Sequence, residues 1–202
     1  KLKIGELEQA IGQYFNLLCR KRALVHEVKI DPNRFSVALY GRNRTPLPKS
    51  DLSAGEKQLY AIALLWALRS VSGRALPIIV DTPMGRLDSE HRAALLSTFF
   101  PHAAHQVLLL STDTEIDPAA FKQLEHAVSH TFRLEFDQDT GSTRVERGFF
   151  VVAGDGVGGR WLVHRGGGYE PGGDGGRNFQ NARPRVYDVL VFVRAPFLRV
   201  PF

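Results

Sequence analysis

Only one cysteine, Cys19, occurs in the 202 residues. A single thiol cannot close an internal disulfide, so a cross-linked secreted scaffold is excluded, and the pattern fits a reducing cytosol. No apolar run approaches the roughly 18 residues that a membrane-spanning helix needs. No secretory leader pattern opens the chain. Its 19 glycines follow no three-residue repeat, which excludes collagen. There is no Gly-x-x-x-x-Gly-Lys-[Ser/Thr] phosphate loop, so a self-contained P-loop nucleotide site is excluded. The nearest string, Gly154 to Arg160, has arginine for lysine, Trp161 for the hydroxyl residue, and no helix pattern after it. His91, His102 and His105 have no Cys or carboxylate at metal-ligand spacing and read as solvated or helix-terminal. Cys19 falls in the first helix pattern and reads as packing or surface rather than as a nucleophile.

What is present is ordinary for a folded protein: 44% hydrophobic and 23% charged residues. The length suits one domain, or one domain with a tail. The net charge of +5 permits a nucleic-acid partner without demanding one. That charge is unevenly spread. Residues 149–202 hold 7 arginines against 4 acidic residues, no lysine, and 11 of the 19 glycines. The expected organisation is therefore a helix over 1–22, a domain over 23–149, and a Gly/Arg-rich tail over 150–202. The tail is expected to be disordered or non-native, with Tyr187–Val193 its one strand candidate. The chain begins at Lys1 without an initiator Met, which suggests a piece of something longer.

Along 1–22, apolar residues at Leu2, Ile4, Leu7, Ile11, Tyr14 or Phe15, and Leu18 recur every three to four positions, predicting a helix with one apolar stripe. It reads either as a packing helix or as the last turns of a coiled coil. Arg20-Lys21-Arg22 suit the negative C-terminal end of that helix and are candidates for touching a DNA backbone. Leu24–Ile30 and Phe35–Tyr40 read as strands around an Asp31-Pro32-Asn33-Arg34 turn. A helix is expected from about Ala54 to Val71, with Ser53 and Glu56 forming a capping box and Gly73 beyond its end. Leu76–Val80 and Gln106–Leu110 read as strands buried on both faces. Helices are expected over 88–99 and 118–127, and a hairpin closes around Asp139-Thr140-Gly141. Strands alternating with helices predict an α/β fold with a mainly parallel sheet.

Two places carry chemistry. Leu52-Ser53-Ala54-Gly55-Glu56 combines a hydroxyl, a glycine that admits close backbone approach, and the free N–H groups of a helix start; an anion such as phosphate suits it. The same Ser-x-x-Glu is also a common helix cap. Ile78-Ile79-Val80-Asp81 ends an apolar strand in a carboxylate, where parallel sheets face their ligand crevice. An Asp there can hold Mg²⁺ through water, or simply cap the next helix or turn. Asp88 is open to the same two readings.

The order of these strings resembles the C-terminal half of an ABC-type ATPase head of the SMC and recombination-repair kind. Residues 24–149 are similar in particular to the C-terminal part of the DndD family, the ATPases of bacterial DNA phosphorothioation (sulfur modification). The resemblance rests on Leu52-Ser53-Ala54-Gly55-Glu56-Lys57-Gln58-Leu59, Ala63-Leu64-Leu65-Trp66, Asp81-Thr82-Pro83-Met84-Gly85-Arg86-Leu87-Asp88-Ser89, Phe100-Pro101-His102-Ala103 and Val107 through Asp113. It implies a split head whose Walker A lysine lies in an N-terminal half, before a coiled coil ending in residues 1–22. Ser53, Ala54, Gly55 and Glu56 would form the signature loop that binds ATP held by a second, identical head. Asp81 would be the Walker B aspartate, holding Mg²⁺ through water, and Asp88 would belong to the D-loop. The implied partners are the N-terminal half, the second head, DNA and other sulfur-modification proteins, with no membrane, in the bacterial cytoplasm.

Two departures from the wider ATPase pattern stand out. Thr82 occupies the position of the glutamate that orients the attacking water, and Ser111-Thr112-Asp113 replace the switch histidine. Thr112 can hydrogen-bond a γ-phosphate but cannot carry charge. Loss of a positioned base commonly costs about 10²–10⁴ in rate. The substitutions are in keeping with DndD-like proteins. They also motivate a rival expectation, a scaffold that binds nucleotide without hydrolysing it. A general SMC-like repair or defence ATPase is the alternative within the same class.

Overall fold

The apolar stripe at three-to-four spacing forms helix α1, Leu2–Leu18, in the computed structural model, which describes residues 2–19, 24–112, 115–147, 162–165, 168–171 and 187–193. Arg20 to Arg22, Asp113 and the Gly154–Arg160 string lie outside the described residues. So does most of the tail. The chain divides into two compact units, the first made of Lys1–Pro77 and Pro83–His105, the second of Ile78–Thr82 and Gln106–Arg194, while Ala195–Phe202, grouped with the first, lies outside the described residues.

In the first unit, α1 is a packing helix. Ile11, Phe15 and Leu18 are buried at the expected spacing, with Cys19 beside them. Its partner is α2, Ala54–Ser72, whose inner face buries Leu59, Ile62, Ala63, Trp66 and Ala67. The Tyr14 ring stacks on Trp66 at 4.1 Å, and its hydroxyl donates to Ser70 Oγ at 3.1 Å. Trp66 meets Phe99 edge-on at 5.4 Å, so one aromatic column runs through the core. Strands β1 (Glu27–Asp31), β2 (Ser36–Tyr40) and β3 (Pro46–Leu47) make an antiparallel sheet. The Asp31 carboxylate accepts from Asn33 N at 2.9 Å and holds the turn, while the left-handed conformation expected of Asn33 falls instead on Phe35, at φ 49°. Side chains of α1 bond β1 and the chain that leads into it: the Asn16 amide pairs with both backbone groups of Val25, and Glu8 accepts from Ile30 N in β1 at 2.8 Å. Helix α3 (Ser89–Ala94) continues through a π-helical turn, Leu95–Phe99, into α4, Phe100–His102. That turn buries Leu95, Leu96 and Phe99 together.

The second unit holds β4 (Ile78–Asp81), β5 (Val107–Thr112), α5 (Pro118–Leu124), β6 (Val128–Asp137), β7 (Ser142–Arg147), β8 (Leu162–Arg165), β9 (Gly168–Pro171) and β10 (Tyr187–Val193). Five of these strands form one sheet in the order β4-β5-β10-β6-β7, and β8 pairs with β9 separately. Pairing is parallel only between β4 and β5. The other three ladders are antiparallel, so the fold is mixed α/β and the expected mainly parallel sheet is corrected. The reason is β10, which runs antiparallel to both its neighbours. Because β5 and β6 each oppose β10, they point the same way, with α5 connecting them.

A second correction concerns the strand over Leu76–Val80. It forms as Ile78–Asp81, but at the sheet edge, and Ile79 is 60% exposed. Burial alternates along the strand, with Ile78 buried and Ile79 exposed, so only one face of β4 is covered. The closing hairpin forms as read. The Asp137 carboxylate accepts from Asp139 N at 2.9 Å, and Gly141 takes φ 63°. Of the tail, β8, β9 and the strand candidate Tyr187–Val193 are described. Among the described residues no helix is long and apolar enough to cross a membrane.

Candidate functional site

Each of the two strings that carry chemistry keeps its local geometry. Ser53 is the N-cap of α2. Its Oγ accepts from Glu56 N at 3.2 Å, and the Glu56 carboxylate accepts from Ser53 N at 2.8 Å, which completes a reciprocal capping box. Glu56 is 5% exposed, so its carboxylate is committed to the cap rather than presented to a ligand. Ser53 and Ala54 are exposed. The cap uses only an acceptor lone pair of the Ser53 oxygen, and its O–H is left as a donor at the positive end of a 19-residue helix.

Gly55 is half-buried, and its neighbour is the chain's own backbone. A Cβ at Gly55 would sit 3.1 Å from the Arg86 carbonyl oxygen and 3.4 Å from Leu87 Cδ2. The turn Pro83–Asp88 therefore lies directly against the start of α2. It is fixed there by the Gln58 Nε2 donor, which reaches the Pro83 carbonyl. Met84 and Leu87 are buried beneath it, and Leu87 N donates back to the Met84 carbonyl at 3.1 Å. Asp88 ends the turn by capping α3, accepting from His91 N at 2.9 Å, with His91 Nδ1 3.0 Å from the same oxygen. The structure thus brings Ser53–Glu56 and the turn Pro83–Asp88 together within the first unit.

In the second unit Asp81 and Thr82 stand at the carboxyl end of β4, both exposed. Asp81 is in register with Leu110, two residues before Thr112 at the carboxyl end of the adjacent parallel strand β5. Thr82 N donates to the Leu110 carbonyl at 2.9 Å, which holds the strand end in place. Thr82 adopts φ 42°, the left-handed region that a β-branched side chain resists. Such a conformation costs about 1–3 kcal/mol and persists where the surroundings over-determine it. The Thr112 carbonyl accepts from Glu115 N at 3.1 Å and starts the turn that leaves β5, and Ser111 beside it is fully buried. Asp113, the last residue of this string, lies outside the described residues.

Sequence reasoning singled out Ser53, Ala54, Gly55, Glu56, Asp81, Thr82, Asp88 and Thr112. Gln58, Arg86 and Leu87, which dock the turn, stand within the quoted strings but were given no role there. Gln58 lies inside the quoted string, but nothing in its local spacing reveals a hydrogen bond to a residue 25 positions away. Among the described residues no group of three or more His, Cys, Asp or Glu side chains converges as a metal cage. His102 Nδ1 lies 3.0 Å from the Thr98 carbonyl of its own helix. No protein-family model matches the chain, and no curated protein matches it.

Proposed function

We propose that this chain is the C-terminal lobe of a split, SMC-like ABC-type ATPase head of the DndD kind, acting on DNA in sulfur modification. The observation that carries the reading is the docking of Pro83–Asp88 onto the start of α2 through the bare Cα of Gly55. A Ser-x-x-Glu cap needs no glycine at its second helical position. Here the glycine lets one loop carrying a γ-phosphate donor and one carrying the D-loop aspartate act as a single rigid edge. Such an edge suits the face that a second head presses against. The exposed Ser53 hydroxyl and the free N–H groups of α2 supply donors for a phosphate, in keeping with that role. Asp81, an exposed carboxylate at a parallel strand end, supports the Walker B assignment.

The residues present fit Mg²⁺ and ATP as a half-site. Mg²⁺ is commonly held by one or two carboxylates with waters and substrate phosphates, rather than by an all-protein cage. Asp81 alone is what such a half-site requires, and the Walker A lysine would come from the N-terminal half. When bound, the cation neutralises charge on the phosphates. Of this chain's residues, Asp81 would hold the cation, Ser53 would donate to a phosphate oxygen, and Asp88 would stand at the edge that meets the partner head. In this reading α1 continues an upstream coiled coil, and the exposed β4 edge at Ile79 faces the N-terminal half. Sulfur chemistry itself belongs to another protein, because the lone buried Cys19 offers no transfer or cluster site.

The test is reconstitution of the head from this lobe and its Walker A half. Asp81→Ala is expected to abolish ATP turnover, and Ser53→Arg to abolish ATP-dependent dimerisation measured by light scattering. Turnover that survives Asp81→Ala, or dimerisation that survives Ser53→Arg, refutes the assignment. A wild-type head that dimerises with ATP and does not turn over favours the non-hydrolysing scaffold motivated by Thr82 and Thr112.

A further inference from the structure

Where the wider ABC-type ATPase pattern has a switch histidine, Ser111-Thr112-Asp113 stand here, so the described end of β5 offers no positive charge for a γ-phosphate. The turn that docks on α2 does. We propose, resting on the function proposed above, that Arg86 supplies this charge, acting as an arginine finger toward the γ-phosphate met by Ser53. Three observations point to it. First, the Arg86 carbonyl packs tightly on Gly55, 3.1 Å from the site of a Cβ. Standard bond lengths place the Arg86 Cα within about 2.4 Å of that oxygen. The Arg86 side chain therefore springs from backbone that lies against the first turn of α2, the turn that Ser53 caps. Second, Arg86 is exposed, and its side chain makes no ion pair or hydrogen bond with any described residue. Neighbouring cations are occupied: Lys57 donates to the Ser50 carbonyl at 3.2 Å, and Lys49 lies over the Tyr60 ring at 5.2 Å. Third, the turn that carries it is fixed at both ends, by Gln58 on the Pro83 carbonyl and by the Asp88 cap. A guanidinium on a fixed turn loses less freedom when it binds than one on a mobile loop.

The chemistry requires nothing further from Arg86. Water attacks the γ-phosphorus, the bond to the bridging oxygen of the ADP leaving group breaks, and the water's proton passes to phosphate or solvent. Arg86 remains protonated throughout and offsets the charge on the equatorial and leaving oxygens, a role worth about 10³–10⁵ in rate where it is established elsewhere.

The test uses the complete head with Arg86→Ala, Arg86→Lys and Ser53→Arg compared in parallel. ADP binding by the Walker A half serves as the reference. For Arg86→Ala, dimerisation driven by a non-hydrolysable ATP analogue is expected to need at least about tenfold more analogue. Turnover is expected to fall about 10²-fold or more, with ADP affinity and the melting temperature unchanged. Arg86→Lys is expected to recover part of the dimerisation, because it restores charge without the planar fork. If Arg86→Ala dimerises and turns over as wild type while Ser53→Arg does not, the finger is refuted and the ATPase reading stands. If Ser53→Arg also leaves analogue-driven dimerisation intact, the reading beneath it fails as well. A lowered melting temperature for Arg86→Ala, with wild-type analogue dependence in a well-folded Arg86→Lys, refutes a charge-specific role only if Arg86→Gln, which keeps the stem, also behaves as wild type; loss in Arg86→Gln supports it.

Discussion

Replacing Gly55 by alanine sets two opposed effects against each other at one atom. In a helix alanine is favoured over glycine by at most about 1 kcal/mol. At position 55 the added methyl lies 3.1 Å from the Arg86 carbonyl oxygen and 3.4 Å from Leu87 Cδ2, so the turn has to retreat. Crowding of this kind in a packed site costs about 1–3 kcal/mol. The backbone oxygen cannot swing aside as a side-chain tip would. Movement of the turn also strains the Gln58 bond to the Pro83 carbonyl, itself worth about 1 kcal/mol. The net expectation is a loss of about 1 kcal/mol. Gly12 supplies the control: it lies in mid-helix in α1, and its Cβ would make an ordinary 3.6 Å contact with Val28 Cγ2. Gly12→Ala is therefore expected to gain about 1 kcal/mol from helix propensity. Urea unfolding reads both. With a slope of about 2 kcal/mol/M, each shift moves the midpoint by roughly 0.5 M, in opposite directions. If Gly55→Ala is stabilised to the same extent as Gly12→Ala, the close approach to Arg86 is absent in solution, and the single rigid edge built from both loops goes with it.

Three further expectations can be checked by similar means. Thr82→Gly releases a β-branched residue from φ 42° and, after the greater chain entropy of glycine, is expected to raise stability by about 1 kcal/mol; a loss in the urea midpoint refutes the strain. Trp66→Ala removes the centre of the Tyr14–Trp66–Phe99 column and is expected to cost about 3–5 kcal/mol, with loss of near-ultraviolet circular dichroism; a cost below about 1 kcal/mol places Trp66 outside the core. Burial raises the Tyr60 phenol above its ordinary value of 10.0. Because the folded value is the higher one, this contribution to stability is complete below pH 10 and is lost as pH rises through the folded value. Wild type is therefore expected to lose more stability than Tyr60→Phe between about pH 9 and 11, and parallel slopes refute it.

Features that depend on residues a few positions apart are legible in the letters alone. The stripe Ile11, Phe15 and Leu18, the Ser53–Glu56 capping box and the turn at Asp139-Thr140-Gly141 are each decided within one or two turns of chain. Their energetics are local, so their spacing is enough. The order of strands is not local. Nothing in the apolar run Tyr187–Val193 says that it enters between β5 and β6, or that it runs antiparallel to both. Sheet pairing is chosen by the competition of all available edges. The exposure of Ile79 is tertiary too, since it depends on which face of β4 other elements cover: Ile78 is buried on one face and Ile79 stands open on the other.

The candidate site divides along the same line. From the sequence alone came the residue types able to meet a phosphate and a cation: Ser53 at a helix start and Asp81 at a strand end. The same sequence left Gly55 and Asp88 open between ligand contact and plain structure. Asp88 caps α3 through a contact three residues long, whereas only tertiary packing sets Gly55 against the Arg86 backbone. It also revealed Gln58 and Arg86, which are about thirty residues apart in the chain and joined through one turn. Residue chemistry is carried by the letters. Which groups come within 3–4 Å across such a separation is settled only when the core beneath them closes.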